Sequence, residues 1–561
     1  MITENTPRQK YLRRKTSLWN ERSLWVSHWR EISDYLLPRS GRFFEQDRNR
    51  GEKKHNHIYD STATRALRVL AAGMMSGMTS PARPWFRLAI QDSDMMEYEP
   101  VKIWLDDVSK LMREIFSRSN TYRSLHMVYE ELGAFGTAAT IIRPDFNDVV
   151  RHYPLTIGEY ALSASARGEI DTIYREVPMT VAQIVEEFGI ENVSKSVKNQ
   201  YDRNNLDQWI TVMHAIEPRK DNERSYGKRD AKNMPFKSCY FELAGEGDQM
   251  LSESGFNFFP VLAPRWSVAG GDIYGNGPAM EALGDIRQLQ HEQLRKAQGI
   301  DFQTKPPLQM PVSMKGMEYD TLPGGISWVD PSQPNGAIKS AFEVNLNLQH
   351  LLLDIQDVRD RIKGTFYADL FMMMANDTRS GITATEVAER HEEKLLMLGP
   401  VLERLHNEML SPMVENTFTM MLEAGILPPP PKELQGMDLN IEFVSTLAQA
   451  QRAIGVGAID RLLGTVGSIA TMKPDVLDKL NADQIVDTYA DMLGVDPNLI
   501  VGDENVAIIR QQRADQQRKA EEQQQMAMMA DTAAKVGGID TGNPNALTDV
   551  MQGLQGYTGQ F

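Results

Sequence analysis

The stretch from Gly277 to about Lys363 constrains the fold more than any other. It reads helix, small β insert, helix. The first helix starts behind Gly277-Pro278, because a proline in the first helical turn gives up an N–H that has no intrahelical partner there. The run MEALGDIRQLQHEQLRKAQGI then places Leu283, Ile286, Leu289, Gln293 and Ala297 at helical spacing. Lys305-Pro306-Pro307 ends it, since proline disfavours helix in the residue before it. The insert has three short apolar runs cut by Pro-Gly-Gly and Pro-Asn-Gly turns. The second helix, VNLNLQHLLLDIQDVRDRIKG, carries Leu348, Leu351, Leu352, Ile355, Val358 and Ile362 on one side. Each helix has about 20 residues and so spans roughly 30 Å. Equal helices around a compact insert predict an antiparallel hairpin with the insert at its tip. An ordinary helical pair inside a globular core fits the same periodicity.

The rest of the chain is read around that hairpin. Residues 9 to 37 pattern as helix, with Trp19, Leu24, Trp25, Trp29, Ile32, Tyr35 and Leu36 on an apolar face and Pro38 as the stop. A polar, arginine-rich stretch from Arg39 to Lys54 reads as a loop or a subunit-spanning arm. Asp60 or Ser61 is placed to cap the helix TATRALRVLAAGMMSGM. Two more helices, roughly Tyr98 to Arg118 and Thr121 to Phe135, lead through Gly136-Thr137 into β runs: AATIIR, VRHYPLTI and IDTIYRE. Thr180 caps a short helix closed by Gly189, and the polar stretch to about Leu206 reads as a surface excursion. Strands return in QWITVMHAIEP, FKSCYFELA and NFFPVLAP, so this region is α+β by element order. After the hairpin, Gly364 to Ile382 reads as a loop. A long helix follows from Thr383 to about Ala424, with kinks expected at Gly399-Pro400 and Ser411-Pro412. Short helices, a Gln-rich helix from Ala507 to Ala530 and a Gly/Asn/Gln-rich tail complete the chain.

With 561 residues, several domains are expected. The net charge of -16 argues against a protein coated in base for tight DNA wrapping, yet allows one that lets DNA pass without sticking. One cysteine, Cys239, excludes an intrachain disulfide. The polar, basic N-terminal stretch does not read as a signal peptide, and the apolar run Val69 to Met78 is too short to span a bilayer, so a soluble cytoplasmic product is expected. Methionine is abundant, at 31 residues, which suits adaptable packing between subunits as well as ordinary core filling. Enzymatic constellations are missing from the sequence: it has no GxxxxGK[ST], HExxH or GxSxG pattern. His391-Glu392-Glu393 and His291-Glu292 lack a second histidine one turn away, and Gly270 to Gly277 is not GxGxxG. The tripeptide His55-Asn56-His57 is not a nuclease site, because no dense ligand set accompanies it. Neither a catalytic residue, a metal site nor a cofactor is expected.

Several segments, in order, resemble the head-to-tail connector, or portal, proteins of short-tailed phages. They are His57-Ile58-Tyr59-Asp60-Ser61-Thr62-Ala63, Ser80-Pro81, Pro84-Trp85-Phe86 and Phe135-Gly136-Thr137-Ala138. Arg265-Trp266, Tyr274-Gly275-Asn276-Gly277-Pro278, Ala282-Leu283-Gly284-Asp285 and Pro306-Pro307-Leu308 continue the match. The most specific runs from Arg379 through Thr383-Ala384-Thr385-Glu386-Val387 to Arg390, followed by Leu398-Gly399-Pro400, Arg404-Leu405, Pro412, Leu447-Ala448 and Ala450-Gln451. The resemblance implies an α+β, mostly helical subunit. Its parts are a wing (1–276), a first stem helix (277–304), a β clip (305–343), a second stem helix (344–363), a tunnel loop (364–382), a long wing helix (383–436), a helical crown (437–530) and a flexible tail (531–561).

It also implies a function. About a dozen such subunits form a ring at one capsid vertex, in the virion after assembly in the host cytoplasm. Double-stranded DNA passes through that ring without sequence readout. The clip docks the terminase packaging motor and later the tail adaptor or tail tube; major capsid and scaffolding proteins are further partners, and no membrane is involved. Candidates facing the DNA channel are Lys296, Lys305, Arg359, Arg361, Lys363 and Arg379. Tunnel-loop candidates are Phe371, Met372, Met373, Met374, Asn376 and Asp377, the first four either lining a constriction or packing on the long helix. Clip candidates for partner contact are Lys315, Trp328, Asp330 and Lys339. A ring-forming tail or neck adaptor without a motor-docking role is the alternative.

Overall fold

The computed structural model describes residues 6–43, 57–90, 98–225, 230–245, 249–309, 315, 339–340, 348–375, 397–434, 439–444, 459, 462–471, 473–493, 501 and 503–536. The chain divides into two units, one of residues 1–92 and 103–477, the other of 93–102 and 478–561. The protein is α+β and mostly helical.

The first unit is built on an antiparallel sheet of five strands. These are β4 (Tyr160–Ala164), β5 (Ile170–Thr180), β6 (Trp209–Pro218), β7 (Phe236–Glu242) and β8 (Ser252–Phe256), in that order. Strand side chains alternate between faces, so each face of the sheet gathers its own core. Helix α1, Pro7–Glu21, brings Tyr11 and Leu18 onto Ala161, Tyr174, Met213, Ala215, Cys239 and Phe241. The other face meets α6 (Val181–Phe188) and α7 (Lys195–Asp202), where Val181, Ile184, Phe188 and Val197 pack with Val212, Tyr240 and Leu251. Thr180 forms a full capping box with Gln183 at the start of α6, and Gly189 closes it, as the sequence predicts. Helix α7 lies where a surface excursion was expected: its single buried residue, Val197, gives no helical period to read. Strands β4 and β8 were also unexpected; β8, SESGF, carries hardly an apolar residue.

Helix α2 is Ser23–Tyr35; the expected 9–37 helix is thus two helices broken at Arg22. Arg22 is buried and donates to the Gly158 carbonyl at 2.7 Å and to the Tyr160 carbonyl. Helix α3 (Thr62–Met78) packs on α5 (Thr121–Phe135), and α4 (Glu99–Arg118) lies between them in sequence. Strand β1 (Phe86–Ile90) pairs with β12 (Leu439–Phe443), drawing residues about 350 apart into one ribbon. Strands β3 (Val149–Leu155), β2 (Ala139–Asp145) and β9 (Val261–Leu262) form a second small sheet. At the end of α5, Gly136 adopts φ +69°, and a Cβ there would sit 2.3 Å from the Gly275 carbonyl oxygen. The same crossing is held by Trp266 N–H to Gly136 O (2.9 Å) and Gly275 N–H to Thr137 Oγ1 (2.8 Å). Only glycine allows both that backbone angle and that approach.

The two helices of the hairpin form and pair as the sequence predicts, while most of the insert, 310–314 and 316–338, lies outside the described residues. A helical turn, Pro278–Glu281, leads into α8, Leu283–Thr304; α9, Leu348–Thr365, runs back against it. Between them, β10 (Leu308–Gln309) pairs antiparallel with β11 (Lys339–Ser340), which closes the insert at its base. The apolar stripe fades toward the tip. Leu283, Ile286, Leu289, Ile355, Val358 and Ile362 are buried, whereas Ala297 is exposed and Leu352 and Leu353 are 47% and 69% exposed. Periodicity alone does not show where a helix outruns the body that covers it.

Beyond α9 the expected loop is helical in its described part: α10 is Ala368–Ala375, after a turn in which Tyr367 has φ +54°. Helix continues over 397–405, then opens into a π turn, His406–Leu410, before α11, Ser411–Glu423. Pro412 has no N–H for the carbonyl four residues back, and the Ser411 N–H reaches past the usual partner to His406 O. The kink expected at Ser411-Pro412 is therefore a widened turn. In the second unit, α12 (Ala482–Leu493) and α13 (Asp503–Val536) are joined by Arg510, whose two terminal nitrogens lie 2.6 Å from the Asp483 carboxylate oxygens. Among the described residues no helix is long and apolar enough to cross a membrane.

Candidate functional site: the root of the hairpin

Both hairpin helices are tied to the first turn of α3 by one carboxylate. Asp60 is 8% exposed. Its Oδ1 accepts the Thr62 N–H at 2.9 Å and the Thr62 hydroxyl at 2.6 Å, so the cap expected of Asp60 or Ser61 is made by Asp60. Its Oδ2 accepts from Gln293 Nε2 of α8 at 2.9 Å and from Arg359 of α9, through Nε at 3.1 Å and a terminal nitrogen at 2.8 Å. Gln290, buried on α8, completes the joint. Its Oε1 accepts the N–H groups of Tyr59 (2.6 Å) and Asp60 (2.8 Å), and its Nε2 donates to the Asp60 carbonyl (2.9 Å). Burial pushes the Asp60 carboxyl up, but the Thr62 and Arg359 contacts outweigh it and hold the group below the usual carboxylate range.

Packing supports this polar joint. Phe371 of α10 is buried against α3, where a Cβ on Gly73 would overlap its ring at 2.1 Å. Phe371 thus anchors α10 on α3, where the sequence offered a constriction or the long helix. A second joint lies at the π turn. Glu408 accepts from the Arg265 backbone N–H (2.9 Å), from Arg265 Nε (3.2 Å) and a terminal nitrogen (2.7 Å), and from Arg404 (2.9 Å). Arg265 is 4% exposed and also donates to the carbonyl of Gly168 at 2.9 Å. A buried guanidinium needs such full satisfaction.

The channel candidates of α9 each face a carboxylate of the same chain: Arg359 meets Asp60, Arg361 meets Asp285 at 3.4 Å, and Lys363 meets Asp360 at 2.9 Å. Arg359 and Lys363 line one cleft at the hairpin root. Lys296 is half-buried on α8, and Lys305 is exposed at its end. Met372 is half exposed on α10, and Met373 and Met374 continue that helix. Lys315 is exposed in a turn, and Lys339 pairs with Gln309 in the closing ribbon. Arg379, Asn376, Asp377, Trp328 and Asp330 lie outside the described residues, as do His55 and Asn56 of the tripeptide; His57 sits 6.2 Å from the Tyr35 ring.

Sequence reasoning missed Gln290, Glu408 and the pairing of Arg359 with Asp60. These partners stand 143 to 299 residues apart, and no local pattern signals them.

The chain matches the family model described as bacteriophage head to tail connecting protein over residues 8–501. The chain belongs to this family. It is 61% identical over 557 residues to the probable portal protein of Bordetella phage BPP-1, covering 99% of this chain and all of that one. It is 45% identical over 546 residues to the portal protein of Salmonella phage epsilon15, covering 97% and 98% of the two. Within a head-to-tail connecting protein the joints gain a meaning. Segments that carried the resemblance meet at them: Asp60-Ser61-Thr62 at the hairpin root, Arg265-Trp266 at the π turn, and Gly136 with Gly275 at the backbone crossing.

Proposed function

We propose that the chain is one subunit of the portal ring that joins a phage capsid to its tail and passes double-stranded DNA during packaging and ejection. A hairpin of two long helices, rooted by Asp60 in an α+β body and closed by a β ribbon, carries this reading. Such a hairpin, repeated around a cyclic axis, forms a wall with the insert at one rim. A heterologous interface that closes makes a ring, here of about a dozen subunits. The wing (1–276 with the long helix, 383–436) is the part that meets major capsid and scaffolding proteins. The clip, 305–343, takes the terminase motor and then the tail adaptor, with Lys315, Trp328, Asp330 and Lys339 as contact residues. The segment 364–382 borders the channel, and 437–530 forms the crown.

The role is structural and not enzymatic. A conduit must guide a polyanion without holding it. Cations repeated by the ring attract phosphates, and their tethering to carboxylates of the same chain keeps each contact weak and salt-dependent. Arg359, Arg361 and Lys363 have that arrangement, with Lys296, Lys305 and Arg379 as further channel candidates. The test is electron microscopy of the purified protein, followed by packaging into heads built with and without it. Rings with a central channel, and heads that fill only when the ring is present, are expected. A protein that never forms rings, or heads that fill and stay full without it, contradicts the proposal.

A further inference from the structure

Between the first turn of α3 and the second hairpin helix lies an open cleft of about 460 Å³, lined by Tyr59, Asp60, Ser61, Thr62, Arg65, Gln293, Gln356, Arg359 and Lys363. We infer that this cleft is a phosphate-binding site that takes the backbone of duplex DNA, which rests on the portal reading and gives that reading a defined place of contact. Four features support it. The lining holds three cations, Arg65, Arg359 and Lys363, against one carboxylate, Asp60, whose Oδ2 is already committed to Arg359 and Gln293. Among the described residues Lys363 is held by Asp360, in a pair whose side chains are 38% and 58% exposed; such pairs contribute little and release the ammonium readily. Arg65 is exposed on α3, one turn into the helix. The N-terminal end of that 17-residue helix points its positive dipole at the same space.

The cleft's shape chooses among anions. Among the described residues Tyr59, half exposed, is the single aromatic residue of the lining, and no aliphatic side chain joins it. A nucleobase would find no apolar slot, whereas a phosphodiester needs only donors and charge. The cleft is open, which suits a polymer that enters and leaves laterally. Gln293 donates to Asp60 and Gln356 to both oxygens of Asp360, so the amides occupy the neighbouring carboxylates and leave the phosphate contact to Arg65, Arg359 and Lys363. The same phosphate chemistry is offered by free inorganic phosphate, and the test separates the two sources.

Binding of a random-sequence 20-base-pair duplex to the assembled protein is measured over a salt series by fluorescence anisotropy. Wild type is compared with the double variant Arg65→Gln/Lys363→Gln and with Arg167→Gln, an exposed position on the β4–β5 turn far from the cleft in sequence. The inference predicts that the double variant binds the duplex several-fold more weakly and that its slope of log affinity against log salt falls by about 1 to 2 per subunit engaged. Arg167→Gln should match wild type. Assembly and melting temperature, unchanged in the double variant, exclude a folding cause. If those do change, Lys363→Gln alone, an exposed single substitution, carries the test. Rings that bind duplex identically with and without the two cations overturn the cleft and leave the portal reading standing. Wild-type and variant curves that coincide while inorganic phosphate protects only wild type against thermal unfolding assign the cleft to a free anion and overturn its DNA source. Failure of the wild type to form rings overturns the portal reading itself.

Discussion

The two ends of one helical hairpin obey different rules. At the root, Leu283, Ile286 and Leu289 of α8 and Ile355, Val358 and Ile362 of α9 are buried, and Asp60, Gln290 and Arg359 bind both helices to α3. At the tip, Ile300, Leu352 and Leu353 are 38% to 69% exposed on the same two helices. The root is completed within one chain. The tip carries apolar surface that one chain leaves in water, at an unfavourable cost of about 25 cal/mol per Å². A helix pair that is finished at one end and unfinished at the other is built to be completed by neighbours.

Two residues that stand two positions apart break or sustain this contrast most sharply. Ile355 is 1% exposed and Leu353 is 69% exposed. Ile355→Ala should lower the unfolding free energy of the subunit by about 2–5 kcal/mol through lost burial and a cavity. Leu353→Ala should change it by no more than about 0.5 kcal/mol and should instead weaken assembly. Denaturant titration and sedimentation of both variants check the pair. A large stability loss in Leu353→Ala would mean that the tip packs within its own chain.

Next in size is the root latch. Arg359→Ala leaves the Asp60 carboxylate buried beside Gln293 without its cation. Arg359 is itself partly exposed, so the loss should fall below that of a fully buried pair, at about 2 kcal/mol. It should also speed amide exchange at Thr62 to Arg65 without touching the five-stranded sheet.

Acidity separates the root from the body. Because the Asp60 carboxyl is held low, its contribution is present above the ordinary value of 3.8 and is lost as pH falls through the folded value. Glu131 on α5 behaves oppositely. Burial pushes its carboxyl up to about 8, against hydrogen bonds from the Thr156 hydroxyl at 2.7 Å and the Ile157 N–H at 3.1 Å. The folded chain holds a proton there that the unfolded chain gives up near 4.5, so this contribution is complete below about 4.5 and lost by about 8. Stability should therefore decline from pH 5 to 8, and Glu131→Gln, which can donate to Thr156 and accept from Ile157, should flatten that decline. Melting curves across the range decide it. The smallest effect is expected at Arg361→Ala: its pair with Asp285 spans 3.4 Å with both groups partly exposed, and the change should stay within about 1 kcal/mol.

The hairpin was legible in the sequence because its punctuation is local: Pro278 at the start, Pro306-Pro307 at the turn, and apolar residues at helical spacing between. The capping box at Thr180 was legible for the same reason. What escaped was set by distance or by weak period. The Asp60 latch joins residues 230 to 299 positions apart, and α7 offers one buried side chain. Phe371 read as part of a loop because its partner, Gly73, leaves only a space as its signature. The exposure of the tip was not legible, because periodicity records which residues share a face and not whether anything stands opposite, so a hairpin and a helical pair inside a core fit the same pattern.

Hydrogen exchange along the hairpin, in unassembled subunits and in rings, tests the unfinished-tip account most directly. The amides of 286–290 and 355–362 should be protected in both states, because their own chain covers them. Those of 300–304 and 349–353 should exchange fast in the free subunit and slow by at least tenfold in the ring. Equal protection of the tip in both states would contradict the account, since the hairpin would then be complete without its neighbours.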